Sequence, residues 1–137
     1  MFTTIPARAA ELLDRPASDL ARAGVVRVPP TATFAFVART MAEHHVHAVL
    51  VAQGDDLLGW VTARGMLHNH ARDWSTATAL DAVTERPARL RHDATLSEAI
   101  DALVGSGASH VLLMDDRGRP LSVLADSDVV RHVGGVV

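Results

Sequence analysis

Two stretches of the chain place hydroxyl, guanidinium and carboxylate groups at matching positions. The first, LLGWVTARGML, spans residues 57–67 and contains Thr62 and Arg64. The second, PLSVLADSDVV, spans residues 120–130 and contains Asp128. In each of them an apolar, strand-like segment passes into a short, helix-like segment. Because the first turn of a helix leaves N–H groups unpaired, polar side chains there either cap the helix or help to bind an anion.

The two stretches differ in which polar residue they carry. In the first, Thr62 is followed three residues later by Gly65, whereas in the second Ala125 is followed three residues later by Asp128. A Thr with an acid three residues on is a capping box, so one interpretation is that Thr62 and Asp128 only begin helices. A first-turn acid also complements the helix dipole. Ligand binding is the other interpretation.

The chain reads as two copies of one unit. A shift of 62 residues superposes matching pairs, which are Asp19 and Asp81, Arg27 and Arg89, Ala32 and Ala94, and Thr33 and Thr95. One inserted residue near Gly118 raises the shift to 63, and the pattern of apolar and polar positions repeats along with it. Repeats of this kind indicate two copies of one supersecondary unit.

Each copy predicts the order β-α-β-β-α, and therefore a mixed α/β (α+β) fold. Thr33 and Thr95 are favoured helix N-caps, and each is followed by apolar residues at i, i+3, i+4 and i+7. The apolar runs Ala48–Ala52 and Val111–Met114 then predict equivalent buried strands. A turn, a second strand and a short helix close each copy.

The pattern also predicts how the chain is divided. We expect a lead-in over residues 1–17, with a helix from about Pro6 to Leu13, and a first repeat over residues 18–70. A linker over residues 71–79 and a second repeat over residues 80–137 follow.

Composition excludes several classes of protein. The 137 residues include no cysteine, which excludes disulfides, cysteine zinc sites and thiol catalysis. The net charge is −3, and no basic face or apolar run of membrane-spanning length is visible, so we expect neither a nucleic-acid nor a membrane partner. The N-terminus does not read as a signal peptide, and we expect a cytoplasmic protein.

The ordered set V-x-V-P-P-x-A-T, helix, H-V-H-A-V-L-V, turn, L-G-W-V-T-A-R-G-M-L resembles the CBS domain, named for cystathionine β-synthase. Two such domains in tandem form a CBS pair, or Bateman module, and the resemblance covers roughly Ser18 to His132. It implies two pseudo-symmetric halves with two clefts, and regulation of a partner protein by an adenosine-containing ligand such as AMP, ADP or ATP. Family members commonly pair into a flat disc, so the resemblance also implies a homodimer that associates through its helices.

The resemblance assigns roles at the helix starts. In ligand-binding members of the family, a pattern like G-h-h-T-x-x-D places the Asp on the ribose hydroxyls and the Thr near phosphate. In this chain the Asp is Asp128, and the backbone from Ala125 to Ser127 would lie close to the phosphate, with the Ser127 hydroxyl partly replacing the missing Thr. The first copy could still receive a phosphate near Thr62 and Arg64, or its cleft could be empty.

Two further residues belong to the expected site. His110 enters the middle strand of the second copy, where the family often has a basic or polar residue that contacts phosphate or base. Arg91 follows the first strand of that copy and could reach a phosphate. The alternatives are a hydrogen-bonded histidine at a strand edge and a solvated arginine in a loop.

The remaining chemical groups predict neither metal binding nor catalysis. Several of the eight histidines cluster at predicted helix ends, where the dipole alone favours them. A zinc site needs three or four converging ligands, which spacing does not indicate here, so we expect no metal and no cofactor. The sequence has no phosphate-binding loop of the G-x-x-x-x-G-K-[ST] type and no G-x-S-x-G elbow, and we expect no enzyme. A scaffold that acts by protein association alone is the alternative to a sensor.

Overall fold

A computed structural model describes residues 7–135, which form five helices, two 3₁₀ turns and seven strands. The elements are, in order, α1 (Ala7–Leu12), a 3₁₀ turn (Ala17–Asp19), β1 (Arg22–Ala23), β2 (Arg27–Val28), α2 (Phe34–His44), β3 (Ala48–Gln53), β4 (Asp56–Thr62), α3 (Ala63–His68), a 3₁₀ turn (Ala79–Ala82), β5 (Ala88–Arg91), α4 (Leu96–Ser106), β6 (His110–Met114), β7 (Pro120–Ala125) and α5 (Asp126–Gly134). The helix expected from about Pro6 to Leu13 is α1, and Pro6 lies outside the described residues.

The order β-α-β-β-α occurs twice, as predicted. In each copy a central strand pairs in parallel with the first strand and antiparallel with the third. Arg27 lies opposite Leu50 in the first copy, and Arg89 lies opposite Leu112 in the second, so the pairing register repeats at the shift found in the sequence. The central strands β3 and β6 are largely buried, which confirms the two equivalent strands.

The helix starts follow from local chemistry. Thr33 accepts a hydrogen bond from the amide of Phe36 at 3.1 Å, and Thr95 accepts one from the amide of Glu98 at 3.2 Å. The Glu98 carboxylate in turn accepts from the amide of Thr95, which completes a capping box. Helix α4 ends at Gly107, whose φ of 70° suits a residue without a Cβ.

The chain divides into two compact units that do not follow the sequence halves. One unit is Val25–Pro87, and the other combines the residues up to Gly24 with those from Ala88 onward. The segment that ends at Gly24, which includes the first residues of the predicted first repeat, therefore belongs to the unit built around the second repeat. Strand β1 extends the sheet of that unit, whose order is β1-β7-β6-β5, while the other unit has the order β2-β3-β4.

Backbone hydrogen bonds hold in place the segments of chain that precede strands β2 and β5. In the unit that contains the second repeat, the amide of Ala17 donates to the carbonyl of Ala94 at 2.9 Å, and the amide of Leu96 donates to Arg15 at 2.8 Å. The other unit repeats the arrangement, with bonds from Ala79 to Ala32 at 2.7 Å and from Phe34 to Ala77 at 2.9 Å. Ala17 and Leu20 are also buried in the core of their unit, so this segment is part of the fold that supports the second repeat.

Candidate ligand-binding site

Asp128 lies in the first turn of α5 and is only 9% exposed. Its Oδ2 accepts a hydrogen bond from the amide of Ala125 at 3.3 Å, and its Oδ1 accepts one from Arg131 Nη2 at 2.8 Å. The first contact is the helix-start role that the sequence allowed. The second joins a mostly buried carboxylate to a guanidinium that is largely exposed. Asp128 is therefore a fixed negative charge at the edge of the protein interior.

The backbone N–H groups at the start of α5 already have acceptors. Besides the bond from Ala125 to Asp128, the amide of Asp126 donates to the carbonyl of Ser109 at 2.9 Å. The amide of Ser127 donates to Oδ1 of Asp126 at 2.6 Å. A phosphate at the backbone from Ala125 to Ser127 would have to displace at least one of these acceptors, and two of them are carboxylate oxygens.

A surface pocket of about 420 Å³ opens beside Asp128. We call this cavity the Asp128 pocket. Its lining residues are Leu20, Arg22, Asp128, Arg131 and His132. Three of them lie at i, i+3 and i+4 on one face of α5, and the other two come from the segment that ends at Gly24. The volume falls in the range of roughly 300–1,000 Å³ that is typical of small-molecule sites. The pocket combines one carboxylate, two guanidinium groups, an imidazole and an apolar wall.

Of these five residues, only Asp128 was predicted from the sequence. The spacing of Arg131 and His132 from Asp128 was a usable signal, because residues three and four apart share a helix face. Leu20 and Arg22 gave no comparable signal, since Leu20 reaches the pocket by packing into the core that contains the second repeat and Arg22 by the pairing of β1 with β7.

His110 lies next to the start of α5, whereas Arg91 does not. The first residue of β6 is His110, which is half-buried, pairs with Ala125 in the sheet and has its Nδ1 2.8 Å from the Ser109 hydroxyl. Arg91 pairs with Met114 at the other end of β6. Four residues of strand separate the two ends, which is roughly 13 Å at about 3.3 Å per residue.

Arg91 instead contacts acidic residues near the turn between β6 and β7. It donates to Asp93 at 3.2 Å and to Asp116 at 3.4 Å. The hydrogen bond to Asp93, together with the charges of both acids, raises the pKa of Arg91. His92 Nε2 lies 3.0 Å from the same Asp116 carboxylate. These exposed contacts match the solvated-loop alternative for Arg91.

The first repeat has a different helix start. Thr62 Oγ1 accepts a hydrogen bond from the amide of Gly65 at 3.0 Å, and the amide of Ala63 donates to the carbonyl of His47 at 2.8 Å. Gly65 is buried, and a Cβ added there would lie 3.3 Å from Thr62 Oγ1. Arg64 is exposed in the first turn of α3. Thr62 thus caps a helix of six residues.

Within the part of the chain that the structure describes, no group of three or more His, Cys, Asp or Glu side chains is placed to hold a metal ion. His44, one of the clustered histidines, has its Nδ1 3.0 Å from the carbonyl of Thr40 within its own helix. Among the described helices, none is long and apolar enough to cross a membrane.

Comparison with known families now adds to this geometry. The family model described as "CBS domain" matches residues 17–71 and again residues 79–135, which together make up most of the chain. The chain belongs to the CBS domain family. It is a tandem CBS pair, a module that is typically regulatory and ligand-binding.

Among curated proteins, the chain is 22% identical over 117 residues to "Uncharacterized protein MK0525" from Methanopyrus kandleri. The match covers 82% of this chain and 60% of the relative, so the chain spans less than two thirds of that protein.

Solved CBS structures share the fold. The CBS domain of the bacterial CNNM/CorC family Mg²⁺ transporter, in complex with ATP, is 17% identical with a TM-score of 0.77, and 93% of each chain is covered. Hypoxic Response Protein I, solved with two coordinated zinc ions, is 24% identical with a TM-score of 0.68 over 85% of this chain and 98% of that one. At these identities the similarity establishes the two-repeat fold.

Proposed function

We propose that this CBS pair is a regulatory module that binds an adenosine-containing ligand in the Asp128 pocket and signals its presence to a partner protein. The observation that carries the proposal is the position of Asp128. A mostly buried carboxylate, held by the amide of Ala125 and by Arg131, lines a pocket of suitable size. An adenine nucleotide is supported as the ligand class by the ATP complex of a CBS pair with the same fold.

The pocket offers the contacts that a nucleoside needs. A carboxylate has two oxygens with several lone pairs, so Asp128 can accept hydrogen bonds from the two vicinal hydroxyls of a ribose while it keeps its present partners. Leu20 supplies an apolar surface for part of the ligand. His110 begins the neighbouring strand, opposite Ala125, and we propose it as a second contact to the ligand.

The proposed module is regulatory rather than catalytic. The polar groups of the Asp128 pocket are a carboxylate, two guanidinium groups and an imidazole, and the pocket contains no hydroxyl or thiol nucleophile. The carboxylate is bound to a guanidinium and a backbone amide, an arrangement that suits recognition better than proton transfer.

We also propose a homodimer that forms through the helices of the two repeats. The largest exposed apolar side chains include one on each of α2, α3, α4 and α5, namely Phe36, Leu67, Val104 and Val130. Exposed apolar surface of this kind marks interaction sites. Light scattering at high micromolar concentration should return the mass of a dimer, and Val104→Glu should shift it toward a monomer. A monomeric wild type would contradict this part of the proposal.

A scaffold without a ligand is the second candidate. It is favoured by the fact that each repeat keeps only one half of the family's T-x-x-D pattern. A thermal-shift screen with AMP, ADP, ATP, NAD and S-adenosylmethionine separates the two functions, because a ligand bound only by the folded state raises the melting temperature. The sensor predicts a rise with at least one compound that is lost in Asp128→Ala. No rise with any compound would favour the scaffold.

A further inference from the structure

The charges around α5 are divided between its two sides. At the start of the helix, Asp126 and Asp128 contribute two carboxylates, and the amides of three successive residues from Ala125 already have acceptors. In the Asp128 pocket, two guanidinium groups and an imidazole line the cavity together with the single carboxylate of Asp128. An anionic group is therefore repelled at one place and attracted at the other.

The pocket also limits how much negative charge it can compensate. Arg131 is paired with Asp128 at 2.8 Å, so these two charges largely cancel. Of the lining residues, Arg22 then supplies the one guanidinium charge that no carboxylate of the pocket compensates. This balance suits a single phosphate better than a polyphosphate.

We infer that the ligand is a nucleoside monophosphate whose phosphate lies against Arg22 and Arg131, rather than at the start of α5. The inference rests on the proposed function, since it assumes that the ribose hydroxyls bind Asp128. It changes the expected position of the phosphate from the backbone of Ala125–Ser127 to the side of the pocket built by the segment that ends at Gly24. Arg22 becomes the residue that distinguishes a nucleotide from a nucleoside.

The test is calorimetric titration of the full chain with adenosine, AMP and ATP at constant ionic strength. In wild type, AMP should bind at least about tenfold more tightly than adenosine, because a charge-assisted hydrogen bond is worth roughly that factor. ATP should bind no more tightly than AMP. Arg22→Gln should remove most of the advantage of AMP over adenosine, while Arg22→Lys should keep part of it.

Two variants serve as controls. Arg89→Gln removes an exposed arginine of β5 that does not line the pocket, and should leave the preference for AMP intact. Asp126→Asn keeps the shape of the helix start while removing its charge, and should change AMP affinity by less than about threefold, as expected for a screened charge outside the contact.

The outcomes distinguish a failure of the inferred phosphate position from a failure of the proposed function. If adenosine and AMP bind equally, or if Asp126→Asn strengthens AMP binding tenfold while Arg22→Gln has no effect, the inference is overturned and the proposed function stands. If neither adenosine nor any nucleotide binds wild type, the proposed function fails and the inference fails with it.

Discussion

The starts of α3 and α5 show two ways to stabilise the same junction between a strand and a helix. In the first repeat the N-cap side chain of Thr62 accepts from the amide three residues later, at Gly65. In the second repeat the roles are reversed, because the side chain of Asp128 accepts from the amide of the N-cap residue, Ala125. Each repeat has kept one of the two hydrogen bonds of a capping box.

At the start of α3, local structure alone explains the half of the motif that is present. Thr62 makes one helix-cap bond on a short helix, and no further role is needed to account for it. Asp128 does more, since it also pairs with Arg131 and lines a pocket. The ion pair and the pocket, rather than the presence of the motif residue, distinguish the second helix start as a candidate site.

The largest effect on folding should come from Asp128→Ala. The change removes the acceptor of the Ala125 amide and the partner of Arg131, so we expect the free energy of unfolding to fall by about 1–3 kcal/mol. Denaturation in urea measures the effect, provided that the free energy of unfolding depends on urea concentration with the same slope in both proteins. Arg131→Ala is the matched control and should cost less, because the Arg131 side chain is mostly exposed and the amide bond of Asp128 remains. Equal losses of stability in Asp128→Ala and Arg131→Ala would mean that the hydrogen bond from the Ala125 amide contributes nothing beyond the ion pair.

Thr62→Ala should have the next largest effect. Loss of an N-cap side chain costs about 1 kcal/mol, and the short helix α3 has no acid in its first turn to compensate. Thr62→Ser retains the hydroxyl and should restore most of the stability in the same urea titration. A Thr62→Ala protein as stable as wild type would show that the hydrogen bond to Gly65 contributes nothing.

Completing the capping box in the second repeat should produce a smaller gain. Ala125 has φ −97° and ψ 153°, close to the −102° and 158° of Thr62, so a Thr fits the backbone there. We expect Ala125→Thr to raise the free energy of unfolding by roughly 0.5–1 kcal/mol. Ala125→Val has the same branching without the hydroxyl and controls for shape. A gain in Val equal to that in Thr would refute the capping explanation.

The smallest effect should be a pH dependence at another carboxylate in a first turn, that of Asp81. Asp81 accepts from the amide of Thr78 at 3.0 Å, and this hydrogen bond lowers the pKa of Asp81. A lowered pKa contributes stability that is fully present above the ordinary pKa of about 3.9 and is lost as the pH falls through the lowered value. Unfolding of wild type and Asp81→Asn at pH 6 and pH 3 should therefore show a difference that shrinks at pH 3. If the difference in the free energy of unfolding between wild type and Asp81→Asn grew on acidification, it would contradict a lowered pKa of Asp81.

Much of the fold could be predicted from the sequence because its signals are local. Thr33 and Thr95, each followed by an apolar helix face, fixed the start of both long helices, and the apolar runs that follow specified the central strands. The place of the segment that ends at Gly24 could not be found in this way. Ala17 and Leu20 enter the core of the unit that contains the second repeat, and Ala17 is held there by a hydrogen bond to Ala94, which is far along the chain and leaves no periodic signal.

The candidate site was predicted only where it depends on the helix start. Asp128 was found from its spacing, but Arg91 was grouped with it although strand direction separates them. Strand β7 ends where β6 begins, because the two are antiparallel, whereas the parallel strand β5 ends where β6 ends. Arg91 therefore lies near the β6–β7 turn, and this follows from the β-α-β-β order once the pairing is considered.

Calorimetric titration of wild type, Asp128→Ala and Thr62→Ala, with the compound that gives the largest thermal shift, tests whether Asp128 binds the ligand. Asp128→Ala removes charge-assisted hydrogen bonds to the ligand, so its affinity should fall roughly ten- to a hundredfold. Thr62→Ala removes the matching residue of the other repeat and should bind like wild type. Unchanged affinity in Asp128→Ala, or an equal loss in Thr62→Ala, would contradict the assignment of the ligand site to Asp128.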